Sequence, residues 1–573
     1  VKVCRQSARS DFLVCAVIAI VFFVIYLFSL CPTVYLIDSG ELAAVSYTLG
    51  IAHPTGYPLY TLISYFFAHL PGEPIFNLNL LSALTTICSA VFLYLLVYDI
   101  IKDRIAALIP VVIFSFAPTV WRISVTNEVY PLTALFIVII LFVLYRLRSI
   151  KYLYLIMYLM ALAFTNHIIV FSVAVPVFVY IMFKYRPRFN RILVSLIFAL
   201  FAISMYLYLI TRTNANASIA WGNTNDLQRL IWHITGKQYR VWMFSQSMQE
   251  LTKNLARGLT ILFRDFLYVM ILPLLMGLFY LFKKERSRFW LLISIILINV
   301  CYVINYSIPD IESYYLPAFI TLVIFTAYGI KMIKKYMKSY FVLPGALVFI
   351  LLNYHPNTLR NNTFAMDYSR SHLEQLPKNS LVICAFWDIY SPTIYLKEVH
   401  NTYQDIVIID KELLRRTWYI KYIQTKYPDF YNEVSPAIDD YLEELYKFEY
   451  GKPFNPQVIQ RKFIHMLEAF MRSRMRQGVY LAMPSPDRDL DQSLPNYLRI
   501  PRGLVYEIKK DTAGYVPFDF TKLDLNRPKT MNDERLAYSI AVTRNMVSNN
   551  IQYLTALGMN ESALQARVWL GDF

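Results

Sequence analysis

Charge is scarce in this chain. Lys, Arg, Asp and Glu make up 16% of its 573 residues, against roughly 25% in soluble globular proteins. Too few charges remain to cover a large water-exposed surface. Glycine is also sparse, at 16 residues, which argues against flexible glycine linkers and against transporters built on glycine-broken helices. No internal repeat is visible. The six cysteines (Cys4, Cys15, Cys31, Cys88, Cys301 and Cys384) have no paired spacing, so neither a zinc site nor a disulfide framework is expected.

Apolar and aromatic side chains take the place of charge. Hydrophobic residues reach 57%, with 45 Tyr and 39 Phe, and the mean hydropathy is +0.41. Much of the chain must have lipid as its solvent. The net charge of +16 could mark nucleic-acid binding, but the cations fall mainly between apolar runs.

Apolar runs long enough for membrane helices recur at 11–31, 81–101, 104–119, 129–147, 150–164, 168–184, 190–210, 258–282, 289–307, 313–334 and 339–354, giving about eleven spans. The first follows Lys2, Arg5 and Arg9. It exceeds a signal-peptide core and lacks a small-residue cleavage site, so it reads as a retained span. Basic residues cluster in alternate connections: Lys102/Arg104, Arg146/Arg148/Lys151, Lys184/Arg186/Arg188/Arg191, Lys283/Lys284/Arg286/Arg288 and Lys331/Lys334/Lys335/Lys338. The positive-inside rule puts these loops and the N-terminus in the cytoplasm. A nucleic-acid-binding stripe has no reason to skip every other loop.

The remaining loops and the tail from residue 355 then lie outside. Strand patterns at 381–386, 406–409, 479–482 and 504–508, with helical stretches at 411–426 and 456–476, predict an extracytoplasmic α/β domain over 355–530. A helical segment over 531–573 follows, and residues 1–354 form the transmembrane domain.

Polar residues gather on the outer side. Asp38-Ser39-Gly40-Glu41 follows the first span and places two carboxylates on one helical face. The same four residues also fit a helix start with Asp38 as N-cap. Against simple capping, carboxylates beside lipid are costly without a partner or a task. His53-Pro54-Thr55-Gly56-Tyr57-Pro58-Leu59-Tyr60 is a proline-shaped turn that puts an imidazole in the same external stretch. Glu128 and Tyr130, Asn166 and His167, Arg212, Trp221, and Glu312 and Tyr315 occupy the other outer loops. Singly they read as interfacial anchors. Together they suggest a site.

That chemistry suits a transferase fed by a lipid-linked donor. Outside the cytoplasm there are no nucleotide sugars, so an activated sugar must arrive on a polyprenyl phosphate. Asp38 would deprotonate the acceptor hydroxyl, Arg212 would meet the departing phosphate, and aromatic helices would hold the prenyl chain. A polyprenyl-linked sugar flippase is the alternative from another class, and a receptor with an outer domain is a third.

Asp38-Ser39-Gly40-Glu41, the block from His53 to Tyr60, and Asn127-Glu128-Val129-Tyr130 resemble the transmembrane O-mannosyltransferase family of the GT-C glycosyltransferases. Stretches at 376–382, 395–399 and 416–419 are similar to that family's post-membrane domain. The likeness covers the first 170 residues best and fades after about residue 430. It implies a GT-C-like polytopic helical membrane protein whose catalytic base is Asp38, supported by Glu41. It also implies a hexose donor, plausibly mannose, on a polyprenyl phosphate. The acceptor would be a protein Ser/Thr hydroxyl, with a lipid or polysaccharide acceptor as the alternative. His53, Tyr57, Tyr60, Glu128, Tyr130, Asn166, His167, Arg212, Trp221, Glu312 and Tyr315 would line the donor and substrate site. Ser313 stands before Tyr314-Tyr315 where related enzymes have an arginine. No tightly bound cofactor, no metal and no nucleic-acid partner are expected. The expected location is the plasma (inner) membrane, multi-pass, with a cytoplasmic N-terminus.

Overall fold

Proline marks the entry of one helix after another. Pro58, Pro74, Pro118, Pro131 and Pro317 each sit in a first helical turn, where the missing N–H costs nothing. The computed structural model describes residues 2–147, 149, 151–336, 343–483, 486–528 and 533–573. Its residues group into two compact units. The first comprises Val1–Pro32, Pro54–Thr211 and Asp226–Arg360; the second comprises Thr33–His53, Arg212–Asn225 and Asn361–Phe573. This grouping differs from boundaries at 354 and 530, because two stretches from between the apolar runs belong with the C-terminal residues.

The first unit is helical and of membrane-spanning type. Among the described residues six helices are long and apolar enough to cross a bilayer: Ser10–Leu27, Pro74–Ile101, Ile168–Tyr185, Phe189–Asn214, Arg286–Ile304 and Ile311–Ile333. Two bent pairs raise this to eight: Arg104–Ser115 with Pro118–Ser124, at 71°, and Met248–Phe266 with Tyr268–Lys284, at 99°. Among the described residues the count of eleven is therefore not reached. At 1.5 Å per residue a span needs about 20 residues, and Tyr130–Tyr145 and Tyr152–Phe164 are shorter than that. The run at 339–354 begins outside the described residues and continues as the helix Leu343–Asn357. Arg148 and Lys338 also lie outside them.

Several basic clusters meet at one end of this bundle. Arg104 pairs with Asp11 at 2.7 Å, and Asp99 pairs with Lys102 at 3.0 Å and Arg146 at 2.5 Å. Lys334 donates to the Ile101 carbonyl, and Arg288 lies over the Tyr145 ring. Small residues set the closest helix approach. A Cβ at Gly277 would collide with the Phe325 carbonyl, and one at Gly329 with the Pro273 carbonyl, a reciprocal close packing that glycine permits between membrane helices.

The second unit is built on a five-stranded sheet of order β2-β1-β3-β5-β4. β1 (Leu381–Cys384) pairs in parallel with β2 (Val407–Asp410) and with β3 (Val479–Ala482); β5 (Val505–Lys509) runs antiparallel to β3 and to β4 (Leu498–Arg502). β1, β2 and β3 are buried along their whole length, as expected of parallel strands covered on both faces. The helix Trp387–Glu398 makes the crossover from β1 to β2. β4 escapes the sequence pattern because it contains Pro501 and sits at the sheet edge, where proline is tolerated. The helix Pro428–Glu449 escapes it because Pro436 lies inside. The helical end appears as Glu534–Ala556 and Asn560–Asp572.

Candidate active site

The second unit holds the acidic pair on the helix Ser39–Thr48. Each residue of Asp38-Ser39-Gly40-Glu41 has a local reason. Ser39 Oγ accepts from Tyr35 N at 3.1 Å, which closes the turn before the helix. Gly40 faces the helix Trp387–Glu398 so closely that a Cβ would collide with the Ser391 carbonyl. Glu41 N donates to Ser391 Oγ at 3.0 Å. Asp38 occupies the N-cap position, yet its side chain makes no capping bond. Its carboxylate is used elsewhere.

The carboxylates flank one imidazole. Glu41 is fully buried, and both of its oxygens are engaged: Oε1 accepts from His53 N at 2.9 Å, and Oε2 from His53 Nδ1 at 2.8 Å. Because a carboxylate only accepts, Nδ1 carries the proton. Nε2 then faces Asp38 Oδ2 at 3.7 Å. Asp38 Oδ1 accepts from Trp387 Nε1 at 2.8 Å. Burial pushes the Asp38 pKa above the ordinary carboxylate range, and Glu41 adds to the rise; His53, Trp387 and Arg535 oppose it. The side chain nevertheless stays 24% exposed, so it remains open to a substrate. Asp38, Glu41 and His53 each offer a ligand atom, all within 4.8 Å of one another, a spacing a cation could bridge. Both Glu41 oxygens already have donors from His53.

Aromatic rings surround the pair. Trp221 stacks on Trp418 at 4.4 Å between ring centres and meets Trp387 and His53 edge-on, each at 6.0 Å. A parallel bridge between Ile51 and Ala220 and the Ser218–Glu398 hydrogen bond at 2.5 Å fix the loop that carries Trp221. Beside Trp387, the fully buried Asp388 accepts from Ile37 N at 2.9 Å and from Arg535 Nε at 2.5 Å. Trp387, Asp388 and Arg535 were not singled out from the sequence. The available signal was position: Trp387-Asp388 follows the C-terminal end of a parallel strand, where α/β sites concentrate.

Arg212, expected at the donor phosphate, instead donates through Nε to the Leu49 carbonyl at 2.6 Å and through Nη2 to the Thr48 carbonyl at 3.3 Å. It closes the C-terminal end of the helix whose other end carries Asp38, about 15 Å away along the axis. A guanidinium so used satisfies orphan carbonyls.

The other expected residues lie in the first unit. Tyr57 stacks on His167 at 5.8 Å, and Tyr130 and Tyr314 approach the same imidazole at 5.1 and 5.2 Å. Tyr130 donates to Asp310 at 3.3 Å. Tyr60 bonds Asn127, and Asn166 holds the Val129 carbonyl and the Thr133 hydroxyl, both as buried structural ties. Glu128 N donates to Ser82 Oγ at 3.3 Å. Glu312 pairs with Arg122 at 2.5 Å and Arg264 at 3.2 Å. Tyr315 lines a cavity of about 310 Å³ together with Arg257, Asn254 and Tyr306.

Residues 38–191 match the family model of the protein O-mannosyl-transferase TMEM260 N-terminal domain. A Dictyostelium discoideum protein O-mannosyl-transferase tmem260 is 24% identical over 464 residues, covering 69% of this chain and 57% of that protein. Over these stretches the chain is similar to the transmembrane O-mannosyl-transferases. The Mus musculus protein O-mannosyl-transferase TMEM260 is 35% identical over 102 residues, which is 18% of this chain and 14% of that protein. The chain thus spans less than two thirds of the length of these O-mannosyltransferases. Among solved structures, ArnT from Cupriavidus metallidurans bound to undecaprenyl phosphate aligns with TM-score 0.45 at 10% identity, covering 88% of this chain and 99% of that one. The mycobacterial arabinofuranosyltransferase AftD aligns with TM-score 0.43 at 13% identity, covering 85% of this chain and 37% of that one.

Proposed function

We infer that the chain is a membrane glycosyltransferase that moves a hexose, mannose by the name of its relatives, from a polyprenyl-phosphate donor to a Ser or Thr hydroxyl of a protein. The observation that carries this reading is the Asp38 carboxylate, hydrogen-bonded by Trp387 and backed by the His53–Glu41 pair. Asp38 takes the proton of the acceptor hydroxyl as its oxygen attacks the anomeric carbon. The bond from that carbon to the phosphate oxygen breaks in the same displacement, and polyprenyl phosphate departs. His53 Nε2 faces Asp38 and can receive the proton, while Glu41 stabilises the resulting imidazolium. Trp387, half-buried beside the pair, offers an apolar ring to a sugar. The chemistry needs no metal. The alternation of basic loops supports a cytoplasmic N-terminus, and on this reading the acidic site works on the outer side of the plasma membrane.

The test is Asp38→Asn, which preserves shape and capping capacity but removes the base. With polyprenyl-phosphate mannose as donor and a threonine-containing peptide as acceptor, turnover should fall by about 10² or more, with an unfolding temperature near wild type. A fully active Asp38→Asn protein would sink the assignment.

A further inference from the structure

Asp38 does not stand alone on its helix; the elements after β1 grip it from two directions. Trp387 Nε1 holds one carboxylate oxygen at 2.8 Å and leaves the other towards His53. One residue earlier, Ile37 adopts φ +63°, a left-handed conformation that β-branched residues rarely take. Its N–H is held at 2.9 Å by the Asp388 carboxylate, which Arg535 anchors from the helix Glu534–Ala556. A strained conformation persists only where its surroundings over-determine it, and here adjacent residues of one helix supply that restraint. The Asp38 side chain could otherwise turn about its χ angles, since it makes no capping bond of its own.

We propose that Trp387 is a positioning residue for the transfer reaction, aiming Asp38 Oδ2 at the acceptor, while Asp388 and Arg535 hold the Ile37 turn from which Asp38 projects. The C-terminal residues are then part of the catalytic apparatus, beyond any part they play in recognising the acceptor. This inference rests on the reading of Asp38 as the base.

Trp387→Phe keeps a ring against Trp221 while deleting the N–H donor and part of the indole, so the unfolding temperature is read beside the kinetics. Asp388→Ala would leave Arg535 unpaired beside a buried site and could fail to fold. In the full chain, assayed with polyprenyl-phosphate mannose and a threonine-containing peptide, Trp387→Phe should lower kcat on the order of 10-fold to 100-fold. Donor KM should stay within about twofold, and the unfolding temperature near wild type. A second measurement does not need turnover. In protein labelled with ¹⁵N-tryptophan, the indole N–H resonance that vanishes in Trp387→Phe should be displaced in Asp38→Asn, because its acceptor changes from a carboxylate to an amide.

Wild-type kcat in Trp387→Phe alongside an inactive Asp38→Asn would overturn the positioning role and leave the base assignment intact. An active Asp38→Asn would remove the base assignment itself. A kcat loss matched by a lower unfolding temperature or a raised KM would make Trp387 a packing residue only, and an unmoved indole resonance would deny the hydrogen bond.

Discussion

Glu41 illustrates how a single side chain is committed by its donors. Both oxygens receive hydrogen bonds from one residue, His53. Glu41→Ala strands two donors in a buried place, at about 1–3 kcal/mol each. Glu41→Gln keeps one acceptor oxygen but offers an amide donor to the imidazole, which must then take the other tautomer and present an N–H to Asp38. We expect Ala to lower the unfolding temperature clearly and Gln only slightly, with turnover reduced in both. Calorimetry beside a donor-consumption assay checks this; a Gln variant with full turnover would remove Glu41 and His53 from the proton path. At this scale the sequence exposed the reactive types but not their pairing. Asp38, Glu41 and His53 were legible as polar residues beside lipid, whereas Trp387, 349 positions further on, was not.

At the scale of the element, glycine decides which helices can touch. Gly40 lets the helix Ser39–Thr48 lie against the backbone of Ser391 and Pro392, and Glu41 N reaches Ser391 Oγ only because of that approach. Gly40→Ala meets backbone rather than a yielding side chain, so the helix must move as a body. The expected result is a loss of turnover exceeding the small intrinsic gain in helix propensity from Ala, together with a lower unfolding temperature. Wild-type kinetics and stability in Gly40→Ala would show that the contact has slack. The strands were read almost to the residue where hydrophobic runs were uninterrupted. β4 and the helix Pro428–Glu449 were missed where proline broke the pattern: Pro501 is tolerated at a sheet edge, and Pro436 sits inside a helix that continues past it. Among the described residues fewer helices than apolar runs are long enough to span, because apolar composition reports burial in lipid or in protein alike, and only chain geometry gives length and bend.

Across the whole molecule, two buried charges of the α/β unit give stability a pH dependence of known sign. Burial raises Asp410 to about 7 and lowers Lys397 to about 7. Between about pH 4 and 7 the folded state holds an Asp410 proton that the unfolded chain releases, so stability falls as pH rises, by at most about 4 kcal/mol. Between about pH 7 and 10 the unfolded chain holds the Lys397 proton that the folded state has shed, so stability rises again. Buried His372, lowered to about 4, sheds its proton in the folded state over the acid range and there offsets much of the Asp410 fall, so the rise above about pH 7 should be the clear feature of unfolding temperature against pH. Asp410→Asn, which keeps the oxygen that accepts from Leu413 N at 2.9 Å, should change the acid limb alone, turning it towards stability that rises with pH as His372 dictates. An acid limb unchanged in that variant would assign it to other carboxylates.

Composition and charge spacing alone determined that the chain lives in lipid, that cations collect at one set of helix ends, that an α/β segment follows the last apolar run, and that an acidic pair comes just after the first one. These are properties of local pattern, and a bilayer reads local pattern directly through hydropathy and charge. Only the tertiary structure decided that residues 33–53 and 212–225 belong with the C-terminal unit, that Arg212 caps a helix, and that Trp387, Asp388 and Arg535 converge on the turn at Asp38. Hydrogen bonds and ring contacts between residues hundreds of positions apart leave no periodicity in a sequence, because they depend on where separate elements are brought together and on no repeat within either of them.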